Sequence, residues 1–398
     1  MRRSSIFAAF AAVLIVAYLL FEVLSWLYIA YGLGIDESDY SQYYRNSNPN
    51  RAIITWADRY ERHPYVGYVM PPKIREIERF RDQENSNEYV IAILGGSVAE
   101  HFADYVIDEG RYFEKLRHSV PGIEGRAIRI LNLALGGYKQ PQQFILASYL
   151  LEHLDMTINI EGFNEIVSLD LNPVYPTDFP MTALKFYERE NSVGIYTTLG
   201  RLATSTYRFL DTLPARLEII SESNVYFLMW RGVQPLLYQG IRELEERYLA
   251  AIGAGEAAGL DQAASWRRKI EIWKKYTRLQ NQVTRLAGVM SFFFLQPNQY
   301  LKGAKPLSQE EWSIAINPER IETGNTEMKL LQAAAHDMRT EGLPVYDLTR
   351  IFRGNTETVY EDACCHLNGL GNQIMAEEIL GIIQRDATIQ RDAIAHGP

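Results

Sequence analysis

The sequence predicts an α/β protein: a parallel sheet with helices on both faces, a helical insertion within the sheet domain, and a transmembrane helix ahead of it. Three observations predict this. Short Ile/Val/Leu runs alternate with helix-length segments, the order that builds parallel βα units. The alternation is interrupted once, over about 176–287, by long helical patterning. The chain also opens with an apolar run from Ile6 to Leu33 that holds one charge, Glu22. Its 398 residues suffice for a large core plus an insertion.

The opening run is long enough to span a bilayer, which takes about 20 apolar residues. Arg2 and Arg3 precede it and Asp36, Glu37 and Asp39 follow. The positive-inside rule therefore puts the N-terminus in the cytoplasm and the body outside it, in a periplasmic or other extracytoplasmic space. Trp26, Tyr28 and Tyr31 fit the outer aromatic belt. The run is too long, and its far end too bulky, for a cleaved signal peptide. Glu22 reads as an interfacial carboxylate, with pairing to a membrane partner as the alternative. Residues 1–35 are thus the anchor, and the polar 36–88 a stalk and lead-in arm.

The first strand, Tyr89–Leu94, runs into Gly95-Gly96-Ser97, and a helix is expected through His101 and Tyr105. Ala127–Leu133 is the second strand, ended by Gly136-Gly137. Gln142–Leu154 reads as a buried helix, Met156–Ile160 as the third strand, and Ile166–Leu169 as its candidate extension. Past Pro173 and Pro176 the pattern is helical over 182–287, with an Ala/Gly-rich joint near 253–259. Within it Ile272, Tyr276, Leu279, Val283 and Leu286 form one stripe, read as the face packed on the core. The insertion, 176–287, also has room to form a cap. Strands resume at Met290–Leu295 and Pro344–Leu348, and Met375, Ile379, Ile382 and Ile383 give the last helix an apolar face. The sheet domain is therefore 89–175 with 288–385, followed by a polar tail, 386–398.

A net charge of −9 with no basic cluster argues against nucleic acid as a partner. The two cysteines, Cys364 and Cys365, are adjacent, too strained a geometry to bridge each other, so no disulfide scaffold is expected. No C-x-x-C pair or His/Cys cluster suggests a metal site, and no cofactor is expected.

Four segments lie at strand ends or before the last helix: Gly95-Gly96-Ser97, Asn132 to Tyr138, Glu161-Gly162-Phe163-Asn164-Glu165, and Glu361-Asp362 through His366 to Asn368. Open α/β sheets bind ligands at the carboxyl ends of their strands. Acyl transfer needs a nucleophile, a base, a group orienting the base, and donors for an oxyanion. Ser97, His366 and Asp362 suit the first three roles. The N–H groups of Ser97 and Gly137 and the Asn164 amide suit the last. Plainer readings stand beside these: Ser97 as a helix cap or phosphate-binding turn, His366 as a loop histidine, Asp362 as a solvated acid, Gly137 and Asn164 as turn residues. A nucleotide site is weakly supported, since no Lys follows the glycines and no G-x-G-x-x-G occurs. His101 reads as a helix-surface residue or a substrate contact, Tyr138 and Gln140 as cleft lining, and the two cysteines as packing residues.

On these residues the sequence resembles the SGNH (GDSL-like) hydrolase superfamily, whose blocks carry Ser, Gly, Asn and an Asp/His pair. Here Ser97, Gly137, Asn164, Asp362 and His366 stand in that order over about 89–384. The resemblance implies a flavodoxin-like three-layer αβα sandwich and ester hydrolysis or acyl transfer. It implies Ser97 as nucleophile, His366 as base, Asp362 as its orienter, and Ser97, Gly137 and Asn164 as the oxyanion hole. Three departures mark this chain: GGS for G-D-S, GFNE for G-x-N-D with Glu165 in the acidic place, and an Asp–His step of four instead of three. Ala363 holds the three-apart place and cannot orient a histidine; Glu361 is the fallback for Asp362. The expected protein is a membrane-anchored extracytoplasmic serine esterase or O-acyltransferase. Its expected substrates are acyl esters of envelope or exported polysaccharide, or of lipid, with envelope proteins as further partners. The alternative is a catalytically inactive relative serving binding or assembly in an envelope complex, motivated by the insertion, Glu22 and the altered spacing.

Overall fold

The computed structural model describes residues 2–34, 61–63, 65–82, 87–167, 195–251 and 261–395. The expected joint near 253–259, most of the 36–88 arm and the Pro173–Pro176 region lie outside the described residues. The chain forms two compact units, Met1–Tyr60 with Glu188–Gly255, and Glu61–Tyr187 with Glu256–Pro398.

The second unit holds the sheet. Two short strands, β1 (Glu61–His63) and β2 (Gly67–Val69), form an antiparallel pair that leads into the helix Pro71–Arg81. The main sheet contains β3 (Glu88–Gly95), β4 (Ala127–Asn132), β5 (Met156–Glu161), β6 (Met290–Leu295) and β7 (Val345–Asp347). Its strands lie parallel in the order β4-β3-β5-β6-β7. From β3 the chain crosses to β4 on one side, then returns to β5 on the other. The crevice at the carboxyl ends of β3 and β5 is therefore the point where the winding direction reverses.

Helices cover both faces, so the central strands are buried along nearly their whole length; β3 and β6 are largely apolar, whereas β5 alternates apolar residues with Thr157, Asn159 and Glu161. On one face Ile91, Ile93, Ile158, Ile160, Phe292 and Phe294 pack on Val98 and Phe102 of the helix Ser97–Glu109 and on Met375, Ile379 and Ile383 of Gly369–Ala395. On the other face Phe293 and Leu295 pack on Trp273 of the helix Gln262–Leu286 and on Leu331 and Met338 of Ile321–Thr340.

Several expectations change. Ile166 belongs to a short helix, Phe163–Val167, not to a strand: Gly162 (φ 120°) turns the chain, and the Glu165 carboxylate accepts its N–H at 2.7 Å. The last helix does not stop at 385 but continues to Ala395, because Ala387 is buried and Asp386 accepts from Tyr346 and Arg339. The helix Gln262–Leu286 belongs to the sheet unit, and its buried face is wider than the expected stripe. Ile272 and Tyr276 of that stripe are buried, with Leu279 packed on them, but Trp273, Thr277, Gln280 and Thr284 are buried beside them and Leu286 is exposed. The cause is the strand opposite. The side of β5 facing this helix carries Thr157, Asn159 and Glu161, all buried. Gln280 donates to Asn159 at 2.7 Å, and Ser291 to Thr284 at 2.7 Å.

The first unit contains the N-terminal helix Arg2–Leu27, prolonged by a π-helical turn over Tyr28–Leu33, and the helices Ile195–Arg216 and Asn224–Ala251. The N-terminal helix is long and apolar enough to cross a membrane, over Val16–Leu33. Glu22 is not bare, and among the described residues no cation pairs with it. Its carboxylate accepts from the N–H groups of Asn224 (2.8 Å) and Val225 (3.3 Å) and from the hydroxyls of Ser223 and Tyr18 (2.6 Å for the latter). It caps the N-terminus of Asn224–Ala251, where both the unsatisfied N–H groups and the helix dipole favour a negative charge.

Candidate active site

Ser97 opens a helix directly after β3, and two glycines make that turn feasible. Gly95 has φ 146°, and a Cβ on it would stand 2.2 Å from the Ile160 carbonyl oxygen of β5. A Cβ on Gly96 would stand 2.0 Å from the Asn164 amide nitrogen. Only glycine lets the serine turn lie this close to β5 and to Asn164.

His366 comes from the loop before the last helix, far away in sequence. Its Nε2 lies 2.7 Å from Ser97 Oγ, and its Nδ1 lies 2.5 Å from Asp362 Oδ2. With the proton on Nδ1, the ring donates to Asp362 and accepts from the Ser97 hydroxyl. The other Asp362 oxygen accepts from the N–H groups of Cys364 (2.8 Å) and His366 (3.3 Å). Burial raises the Asp362 carboxyl, but the hydrogen bond and charge of His366 and these two N–H groups outweigh it and hold it below the ordinary aspartate value. Asp362 is thus a fixed anion behind the ring. The fallback Glu361 instead donates its backbone N–H to the His366 carbonyl. The four-residue step is absorbed at Cys365, whose φ is 68°. Its side chain is buried with Sγ accepting from Gln296, and burial pushes the thiol well up.

The oxyanion candidates gather at the same strand ends. The Ser97 N–H lies in the first turn of its helix and has no intrahelical acceptor. The Asn164 amide donates to the Tyr138 carbonyl at 3.0 Å, which brings it beside the Gly136–Gly137 turn as well as beside Gly96. Gly137 itself has φ 82°. Tyr138 and Gln140, expected to line the cleft, are buried instead. The Tyr138 hydroxyl donates to the Tyr68 carbonyl, and the Gln140 amide donates to Glu161 (2.8 Å) and Gln280 (3.0 Å).

Sequence reasoning missed the supports. Glu100 accepts the Gly136 N–H at 2.8 Å and pairs with Lys73 at 3.3 Å, tying the nucleophile helix to the glycine turn. Glu311, fully buried with Lys305 at 2.6 Å, accepts the N–H groups of Val359 (2.9 Å) and Tyr360 (3.1 Å) and so holds the loop that carries Asp362 and His366. His101 packs its ring against His366, centroids 4.7 Å apart. The only sequence signal for any of these was the position of His101 and Glu100 one turn after Ser97. Behind the site, burial and the nearby Glu165 push Glu161 up to about 8 despite donors from Trp273, Gln140 and Thr277.

A serine hydroxyl held on an imidazole that is itself held on a carboxylate, with amide donors beside it, can attack an acyl carbonyl and support the resulting oxyanion. The chain matches no family model, and no curated protein matches it closely enough to count as a relative.

Proposed function

We propose that this chain is a membrane-anchored serine esterase or O-acyltransferase of the SGNH type, working outside the cytoplasm on acyl esters of envelope or exported polysaccharide or of lipid. The observation that carries the reading is the Ser97–His366–Asp362 relay at the reversal point of the sheet. Supporting it, the sheet strands taken in chain order lie 2-1-3-4-5, the order of flavodoxin-like sheets, with the serine after the first strand. The closeness of the Asn164 amide to Gly96 and to the Tyr138 carbonyl supports reading it as an oxyanion donor.

In this reading Ser97 Oγ attacks the acyl carbonyl while His366 Nε2 takes its proton. Asp362 stabilises the imidazolium formed. The oxyanion collapses, the alkoxide leaves with the proton from His366, and an acyl-Ser97 ester remains. Water or a sugar hydroxyl, deprotonated by the same imidazole, then takes the acyl group. The N-terminal helix would keep the enzyme at the membrane that its substrates border. The altered Asp–His spacing motivated the inactive alternative; with Asp362 in contact with the ring, the geometry favours turnover.

The test uses the detergent-solubilised full chain beside Ser97→Ala, with a fluorophosphonate probe and a short-chain nitrophenyl ester. Labelling and hydrolysis lost together in Ser97→Ala are expected. A folded wild-type chain that neither labels nor turns over would move the assignment to binding or assembly.

A further inference from the structure

We infer that the helical hairpin of the first unit, Ile195–Arg216 with Asn224–Ala251, is seated in the same lipid bilayer as the N-terminal helix and is a second membrane contact. The inference rests on the anchoring read into that helix and adds a surface to it.

The first argument is depth. The apolar segment able to span a membrane runs over Val16–Leu33. Glu22 lies six residues into it, about 9 Å along the axis at 1.5 Å per residue. There it binds the backbone of Asn224 and Val225. Further along, Ile29 is buried against Phe227, with Leu33 and Leu228 packed on them. The start of Asn224–Ala251 therefore runs beside the apolar segment and not beyond its end. A bilayer that covers Val16–Leu33 has to meet the turn of the hairpin.

The second argument is polarity. Leu199, Leu202 and Phe209 are exposed at helical spacing, on the side of Ile195–Arg216 opposite its buried Tyr207 and Asp211. Met229 and Leu236, seven apart, are exposed on Asn224–Ala251, on a face turned away from buried Tyr226, Trp230 and Gln234. Leu217 is exposed between the helices. Between the helices, Tyr207, Tyr226 and Gln234 point inward. Gln234 donates to the Tyr207 hydroxyl at 3.1 Å, and the Tyr226 hydroxyl donates to the Leu210 carbonyl. Polar contacts inside and leucines outside suit lipid and are unfavourable in water. Glu222 and Arg231 are exposed on the same hairpin, so its leucine-bearing faces, and not its whole circumference, meet acyl chains. Glu22 has no basic partner among the described residues and needs none, since two N–H groups and two hydroxyls satisfy it.

The test uses the full chain in phosphatidylcholine nanodiscs, in a Cys364→Ser background. An environment-sensitive fluorophore is placed in turn at Leu202→Cys, Phe209→Cys and Leu236→Cys. Leu20→Cys serves as the reference within the span, and Glu357→Cys as the reference in water. Emission is compared with and without doxyl-labelled lipid. The expected result is blue-shifted emission and quenching at the hairpin positions approaching that at Leu20, with no effect at Glu357. Quenching at Leu20 but not at the three hairpin positions overturns the inference and leaves the anchor standing. Quenching at none of them overturns both.

Discussion

Between Asp362 and His366 the chain has one residue more than the usual step, and Cys365 takes it up in the left-handed region, which disfavours side chains by roughly 1–2 kcal/mol. Under the proposed function, that residue is a point where catalysis and stability meet. Cys365→Gly removes the steric penalty and should keep the relay and the turnover. Cys365→Val, β-branched at positive φ, should lower both the melting temperature and kcat/KM; unchanged turnover in the valine variant would show that the loop tolerates another path. A second prediction concerns Gly96. A methyl there meets the Asn164 amide, so Gly96→Ala and Asn164→Ala should each cost about 10²-fold in kcat, as loss of one oxyanion donor does. Because both act through one amide, the double variant should be little worse than either alone. Full additivity in the kinetic cycle would separate the two positions. At this scale the sequence was informative about which side chains meet, since Ser97 and Asn164 follow strand ends and Ser97, His366 and Asp362 are in contact. It was silent on their supports. Lys73, Glu100 and Glu311 are ordinary surface-type residues in sequence, and only the fold places the two carboxylates on backbone N–H groups and the Lys73 ammonium on Glu100 and the Ala134 carbonyl.

At the scale of elements, β3 and β6 were legible as largely apolar runs because both faces of the sheet are covered, and β5 by its alternating Met156, Ile158 and Ile160. The face of the helix Gln262–Leu286 was legible only in part. Periodicity finds Ile272 and Tyr276, which are buried, but this helix also buries Thr277, Gln280 and Thr284 toward Thr157, Asn159 and Glu161, and hydropathy cannot register that pairing. Glu161 makes the seam titratable. Its folded-state pKa, near 8, lies above the ordinary value of about 4.5, so the folded chain holds a proton that the unfolded chain releases between those values. The stabilising effect of that proton is complete below about pH 4.5, declines as pH rises, and is gone above about 8. The native protein should therefore lose melting temperature between pH 6 and 9, and Glu161→Gln should flatten that decline; an equal decline in both would remove Glu161 as its source. Glu311 has the opposite sign. Burial raises its carboxyl, but Lys305 and three N–H groups hold it below the ordinary value, so its contribution is present near neutrality and is lost as pH falls through the folded value. Glu311→Ala would leave Lys305 buried without its anion and should cost on the order of 3–5 kcal/mol in unfolding free energy.

At the scale of the molecule, the sequence showed a membrane-length apolar run and a later helical stretch, but not that the run shares one compact unit with the helices Ile195–Arg216 and Asn224–Ala251. The contact that joins them is a carboxylate in an apolar run meeting the N-terminus of a helix two hundred residues away, a pairing no local pattern encodes. Glu22 therefore bears on the helical unit and not on the chemistry, since Ser97, Asp362 and His366 all belong to the sheet unit. Removing a helix cap costs about 1 kcal/mol in water. The cost grows where stripped N–H groups find no solvent. Glu22→Ala should thus make the hairpin markedly more sensitive to limited proteolysis in nanodiscs. Glu22→Gln keeps an acceptor oxygen without the charge and should fall between Glu22→Ala and the native chain. Hydrolysis of a small soluble ester should be the same in all three. Were turnover to fall with hairpin protection, the helical unit would be part of the catalytic assembly, and Glu22 would support catalysis as well as seating.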